Sequence, residues 1–285
     1  MRVLVTGAAG LLGSAVVREF SRDGDVEAAD RSTLDITDAA AVERMVGRMR
    51  PAAIVNCAAY NDVDGAEDDA KRALSVNAFG VLTLARAARE AQSTLVHYSS
   101  DFVFDGETTR PYAEDDEPRP RSVYAASKLL GEWFATDAPR HYVLRVESLF
   151  GPSGSGPRAR RGSLGTIVES VGRGDVVPVF IDRTVSPSFT PDVASATRRL
   201  AESSAPSGTY HCVNDGVATW REVAEEAARL LGTELRIRAL TLETASLKAS
   251  RPRYCALSPA RLASLGIVMP RWQDALARYI RTASG

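Results

Sequence analysis

The first half of the chain alternates between two hydrophobic rhythms. Short, nearly continuous apolar runs occupy residues 3–6, 26–30, 53–59, 94–100 and 142–146. Between them lie longer stretches whose apolar positions recur every three to four residues, over 14–20, 38–50, 68–91 and 122–136. A run that is apolar throughout predicts a strand buried on both faces, and the longer period predicts a helix with one apolar stripe. Thr37 or Asp38 is placed to cap the second helix and Pro51 to stop it. Strand and helix in repeated alternation predict an α/β protein. The expected form is a Rossmann-type doubly wound parallel sheet with helices on both faces.

After Gly151 the rhythm loosens. Residues 152–162 are a Gly/Pro/Arg-rich loop, followed by a helix over 164–172 and a strand over 176–181. Thr190-Pro191-Asp192 opens a helix to 202, a strand follows over 208–213, and Thr219 caps a helix over 220–231. A strand over 235–240 and a helix over 272–282 close the chain.

Composition narrows the function classes. The 285 residues are 45% hydrophobic and 25% charged with a net charge of −1, so neither nucleic acid nor an anionic membrane is expected as main partner. No apolar run approaches the ~20 residues that span a bilayer. The N-terminus enters a strand at once, which leaves no room for a signal peptide, and a cytoplasmic protein is expected. Cys57, Cys212 and Cys255 lie too far apart in sequence for a zinc site or a disulfide framework to be expected. His97, His141 and His211 sit beside strand-like runs and read as structural, and no carboxylate cluster demands a metal. Lysine is scarce. Of 35 basic residues only Lys71, Lys128 and Lys248 are lysines, so a lysine suggests that an amine is needed.

Two local patterns carry chemistry. Thr6-Gly7-Ala8-Ala9-Gly10-Leu11-Leu12-Gly13 joins the first strand to the first helix. Gly7 permits the tight turn, Gly10 a close approach of ligand to backbone, and Gly13 close packing of helix on strand. The free N–H groups of the helix start then face a pyrophosphate. Asp30 ends the second strand, where a carboxylate grips adenosine ribose hydroxyls; this favours NAD, while the adjacent Arg31 could take a 2′-phosphate instead. Ligands of such sheets bind beyond the carboxyl ends of the strands, so Gly10, Asp30, Ala58, Ser100 and Glu147 are expected to line one crevice. Residues 1–150 are expected to form a dinucleotide-binding domain to which 186–213 returns. Residues 151–185 and 214–285 then make a smaller α/β substrate lobe.

The second pattern is Tyr124-Ala125-Ala126-Ser127-Lys128, a phenol and an amine four apart on one helix face. Free tyrosine titrates near pH 10, and a neighbouring ammonium is expected to lower it toward neutrality for proton exchange. Ser100, at a neighbouring strand end, can donate to the same carbonyl oxygen.

With Asn77, these residues resemble the extended short-chain dehydrogenase/reductase superfamily. More narrowly they resemble dTDP-4-dehydrorhamnose reductases and related nucleotide-sugar 4-ketoreductases. The resemblance rests on residues 34–38, 56–60 with 63–67, and 99–106, with support from Ser186-Pro187-Ser188, Asp192-Val193-Ala194 and Arg251-Pro252. It implies that Tyr124 protonates a sugar C4 keto oxygen while NADP(H) or NAD(H) supplies hydride. By the same resemblance Ser100 polarises the carbonyl, and Lys128 holds the nicotinamide ribose. Leu11 and Leu12 approach the pyrophosphate, Asp35 and Ile36 the adenine, and Ala58, Ala59 and Tyr60 the inner face of the cofactor. Val63, Asp101 and Phe102 are expected beside the sugar.

The chain departs from the family pattern at three places. Ser100 stands where threonine is usual, Phe102 where tyrosine is usual, and Arg145-Val146-Glu147-Ser148 replaces a stretch that commonly carries a tryptophan. Arg160, Arg161, Arg183, Arg251 and Arg253 are candidates to balance a substrate diphosphate. A nucleotide-sugar 4-epimerase and a non-catalytic nucleotide-binding subunit are the competing expectations, and a homodimer is allowed.

Overall fold

The computed structural model describes residues 1–152 and 162–283. Arg160 and Arg161, with the rest of the stretch 153–161, lie outside the described residues. The first half runs β1 (Arg2–Thr6), α1 (Leu11–Phe20), β2 (Asp25–Ala29), α2 (Ala39–Met49), β3 (Ala53–Asn56), α3 (Gly65–Asp68) and α4 (Ala70–Leu74). A π-helical turn (Ser75–Phe79) leads into α5 (Gly80–Ala91), then β4 (Thr94–Ser100), α6 (Val123–Ala135) and β5 (His141–Val146). Next come β6 (Leu149–Phe150), α7 (Ser163–Gly172), β7 (Val176–Phe180), β8 (Thr184–Val185), β9 (Ser188–Phe189) and α8 (Thr190–Glu202). The chain ends through β10 (Gly208–His211), β11 (Ala218–Thr219), α9 (Trp220–Leu231), β12 (Arg236–Leu240), α10 (Ala260–Ser264) and α11 (Trp272–Ala283).

Six strands form one sheet in the order β10-β5-β4-β3-β1-β2, and every pairing in it is parallel. Val3, Val5, Val55, Val96, Tyr98 and Leu144 pack with α1 and α8 on one face. Leu4, Ile54, Leu95 and Val143 pack with α2 and α5 on the other. In β1, β3, β4 and β5 alternate residues therefore enter different cores, which is why those runs are apolar throughout; β2, at the sheet edge, is largely exposed, contrary to the buried strand its run predicts.

The third strand and the long helix before β4 come out shorter than their apolar patterns, as does the strand expected over 208–213, which ends at His211. The third strand stops at Asn56 rather than 59, because Asn56 Oδ1 takes the Thr6 hydroxyl (2.7 Å) and the Ala58 N–H (3.1 Å) and turns the chain out of the ladder. The helix expected over 68–91 is divided. Asp69 caps α4 by accepting from Arg72 N at 3.0 Å, and the π turn then inserts before α5. α6 lies so close to that turn that a Cβ on Gly131 would sit 2.1 Å from the Asn77 carbonyl oxygen.

Apart from the sheet, a separate core gathers Phe150, Leu164, Val179, Trp220, Val223, Trp272 and Leu276, with the parallel pair β7–β12. Leu262, Ile267 and Met269 pack instead with the sheet, so the last part of the chain serves both cores. Among the described residues no helix is long and apolar enough to cross a membrane.

Candidate active site

β1 lies between β2 and β3, so the crevice of this sheet opens at the carboxyl end of β1. Gly7 has φ +66°, and a Cβ there would lie 2.5 Å from Ala58 N. A Cβ on Gly13 would lie 2.1 Å from the Gly7 carbonyl oxygen, so neither position has room for a side chain. Gly10 is exposed and begins α1 without a side-chain cap, which leaves the first-turn N–H groups of Leu11 and Leu12 at the positive end of the helix. The Leu12 side chain itself is buried in the sheet core.

Asp30 follows β2 directly. Its Oδ1 accepts from Ser32 N (2.8 Å), Ser32 Oγ (2.6 Å) and Thr33 N (3.2 Å), and these bonds hold the carboxyl below its usual range. Arg31 is exposed, with Nε 3.5 Å from Asp35 Oδ2. Asp35 takes the Thr37 N–H and hydroxyl, while the Ile36 side chain is buried against α2 and α5. Ala58, Ala59 and Tyr60 are half-buried past β3. Asn77 ties this loop to α6: its Oδ1 accepts from Tyr60 N (2.8 Å), and its Nδ2 donates to Tyr60 O and Ser127 Oγ, both at 3.0 Å.

α6 is started by two caps. Ser122 Oγ accepts from Ala125 N at 3.2 Å, and Glu67 accepts from Val123 N at 2.8 Å. Tyr124 and Lys128 follow on one face, exposed to only 8% and 2%. Further along the helix Glu132 accepts from Arg145 Nε (2.9 Å) and Nη2 (2.7 Å) and from Ser99 Oγ (2.5 Å), which fixes the helix to β4 and β5. Phe102 meets the Tyr124 ring edge-on at 5.6 Å, and Val63 and Tyr60 pack in the same cluster. Ser100 Oγ donates to Asp101 Oδ1 (2.8 Å) and accepts from Phe102 N (3.2 Å).

The electrostatics of the phenol differ from the sequence-based expectation. Lys128 Nζ donates to the Tyr98 carbonyl at 2.6 Å, and burial pushes the amine down to about 8 despite the opposing charge of Glu132. Burial, reinforced by Asp101, pushes Tyr124 up to about 12, with Ser100 and Arg251 offsetting part of the rise. The ammonium is engaged by the β4 backbone, so the low-dielectric surroundings decide the shift. Tyr124 is therefore protonated at neutral pH and stands ready as a proton donor.

Beyond β5, Glu147 comes beside Asp101 and Cys255, with their polar atoms within 4.8 Å of one another. Glu147 Oε2 accepts from Ser186 N and Oε1 from the Ser148 hydroxyl, whereas Asp101 Oδ2 is buried with no partner. Arg183 donates to Cys255 Sγ (3.0 Å) and to the Pro252 carbonyl (3.2 Å). A metal ion here would face that fixed cation. Arg183, expected at a diphosphate, is held by these two bonds, and its charge acts to lower the Asp101 and Glu147 carboxyls. The sequence placed Glu147 on the crevice rim, but no local spacing announces a cluster drawn from positions 101, 147, 183 and 255. Arg251 donates to Asp64 Oδ2 at 2.9 Å, and with Lys248 and exposed Arg253 it lines an open cleft of about 660 Å³.

The family model described as RmlD substrate binding domain matches residues 1–284. The chain belongs to this family. The dTDP-4-dehydrorhamnose reductase of Streptomyces griseus is 37% identical over 293 residues, covering 100% of this chain and 94% of that protein. A probable dTDP-4,6-dihydroxy-2-methyloxan-3-one 4-ketoreductase of Streptomyces antibioticus is 37% identical over 281 residues, covering 97% and 93%. Among solved structures, the dTDP-4-dehydrorhamnose reductase of Bacillus anthracis in complex with NADP superposes with a TM-score of 0.91 at 30% identity, covering 99% of both chains. In this RmlD-family chain the stretch where the resemblance leads one to expect tryptophan holds Ser148, at φ +40°, with its hydroxyl on Glu147.

Proposed function

We propose that the protein reduces the 4-keto group of a nucleotide-activated, dTDP-linked 4-keto-6-deoxyhexose, with NADPH or NADH as reductant. The observation that carries this reading is a buried, protonated Tyr124 on the helix that also carries buried Lys128, packed beside β4, which ends at buried Ser100. A dinucleotide fits the chain. Gly7 and Gly13 bring β1 and α1 together with no space for a Cβ, and the uncapped start of α1 presents N–H groups suited to a pyrophosphate. In this reading Gly7, Gly10, Leu11, Leu12 and Gly13 hold the pyrophosphate. Asp30 or Arg31 meets the adenosine ribose, Asp35 and Ile36 the adenine, and Ala58, Ala59 and Tyr60 the flat inner face. The NADP found in the Bacillus anthracis relative supports NADPH, and exposed Arg31 supplies a charge for the extra phosphate.

When bound, the reduced cofactor supplies a hydride. Tyr124 donates its proton to the carbonyl oxygen, and Ser100 polarises that oxygen with a hydrogen bond. Lys128 steadies the ribose and, as an ammonium, favours the phenolate left behind. Val63, Asp101 and Phe102 border the sugar and keep water from the phenol. Three unpaired cysteines agree with a reducing, cytoplasmic setting. The test is to mix the protein with NADPH or NADH and a panel of nucleotide-linked 4-keto-6-deoxysugars, following absorbance of the reduced cofactor and product stereochemistry by NMR. Consumption of cofactor with a dTDP-linked ketone is expected; no consumption with any member of the panel would overturn the proposal.

A further inference from the structure

We propose that two copies of this chain associate through the outer face of α6, with Trp133 of each copy seated in the groove beside Ala126 of the other. The inference goes beyond the reductase reading and does not rest on it. It starts from the polarity of one helix. The residues of α6 that are not buried are Val123, Ala126, Leu129, Leu130, Trp133 and Phe134, and every one is aliphatic or aromatic. The hydroxyl-bearing and charged side chains of the same helix, Tyr124, Ser127, Lys128 and Glu132, are all buried. A helix on the surface of a monomer turns its charged stripe to water. α9 does so, with Arg221, Glu222, Glu225 and Arg229 exposed. α6 is reversed. The patch it makes is continuous: Trp133, 70% exposed, stacks on Phe134 with ring centres 5.8 Å apart, and Phe134 meets Phe79, 53% exposed, also at 5.8 Å. Trp133 also walls a groove of about 540 Å³ lined by Pro118, Pro120, Ala126 and Leu130. An exposed apolar patch of this kind marks a contact surface.

Charge, shape and area select a second copy as the occupant. A two-fold axis sets each patch against itself, so a net charge on the patch would repel its twin. α6 brings no charged side chain to the face, and just beyond it Asp137 is already paired with Arg86 and Arg89 at 3.7 and 3.1 Å. An axis passing between Leu129 and Leu130 runs the two helices antiparallel and sets Trp133 opposite Ala126 of the other copy. Knob and groove then lie at equal distances on either side of the axis, as a self-complementary contact demands. Ala126 has the smallest side chain on the face and leaves the groove open to an indole. Large aromatic side chains bury about 150–250 Å² each, so covering Trp133 and Phe79 in both copies removes roughly 500 Å². That is about a third of a standard interface of about 1,600 Å², before the aliphatic residues are counted. Tyr124 and Lys128 stay on the buried side of the helix, and the contact leaves both crevices free.

The test is sedimentation equilibrium of the full chain, with circular dichroism and a melting curve on each variant to show that it is folded. The native protein is expected at twice the mass of one chain; a protein that stays monomeric at high micromolar concentration would overturn the proposal. Trp133→Glu is expected to raise the dimer dissociation constant at least about 30-fold while the chain remains folded. A dimer indifferent to that change has its interface elsewhere, and the proposal fails. Ala126→Trp separates a specific fit from mere stickiness, since it makes the face more apolar but fills the groove. It is expected to weaken the dimer by about 10-fold or more. Association as tight as in the native protein would sink the antiparallel seating. The remaining occupant is tested by flotation with vesicles of phosphatidylcholine and phosphatidylglycerol. Flotation of the native protein that is lost in Trp133→Glu would give the face to a membrane and overturn self-association. None of these measurements depends on turnover, so an absence of ketone reduction would sink the reductase reading alone.

Discussion

At Tyr124 a buried phenol is held up to about 12, so its proton is present throughout the neutral range and a carbonyl oxygen gaining charge can take it. Replacing the hydroxyl by hydrogen removes the donor and leaves the ring's contacts with Phe102, Val63 and Tyr60. Tyr124→Phe is expected to lower kcat by about 100-fold or more while cofactor affinity, read by fluorescence titration, changes by less than about twofold. The four-residue spacing to Lys128 was legible in the sequence because it depends only on helix geometry. The direction of the phenol's shift was not. It is set by burial and by Asp101, which arrives from β4, and by the Tyr98 carbonyl that engages the lysine.

α6 is the element on which the chemistry rides, and its placement depends on one close contact. Gly131 faces the Asn77 carbonyl, and the 2.1 Å separation that a Cβ would have from that oxygen forces either the helix or the π turn to move. Gly131→Ala is expected to destabilise the fold by about 1–3 kcal/mol, measured by urea unfolding, and to lower turnover because Tyr124 and Lys128 shift with the helix. Gly47→Ala is the control. It lies in α2 with nothing within 4 Å of a Cβ, and there alanine is expected to stabilise by about 0.5–1 kcal/mol. The apolar stripe of α6 announced a helix, and the pattern over 68–91 announced another. The division of the second by Asp69 and the π turn escaped the pattern, since it answers to Asn77 holding Tyr60 across the crevice.

Across the whole molecule, β10 returns beside β5 and brings His211 against the first half of the chain. Its N–H donates to Glu114 at 2.9 Å, its Nδ1 bonds the Tyr112 carbonyl at 3.1 Å, and Arg145 Nη1 faces Nε2 at 3.5 Å. Burial and the Arg145 charge push the ring down to about 3, and burial lowers His97 in the same direction. A histidine that titrates near 6.5 when unfolded and lower when folded binds more protons in the unfolded state between those values. Stability from this group is therefore lost as pH falls from about 6.5 toward 3. Asp101 acts with the opposite sign, because its raised value lets the folded state keep a proton that the unfolded chain releases above about 4. The comparison that isolates the histidine is His211→Gln against the native protein: its melting temperature is expected to fall less steeply between pH 6.5 and 4.

The sequence by itself determined the parallel sheet, the glycine turn at the end of β1, and the pairing of Tyr124 with Lys128. Each follows from backbone periodicity or from room for a side chain within a few residues. Only the tertiary structure decided that Asp101, Glu147, Arg183 and Cys255 share one buried site, and that Tyr124 is held protonated. Those outcomes depend on which distant residues desolvate and face one another, and the strength of a charge in a protein is set by its surroundings rather than by its neighbours along the chain.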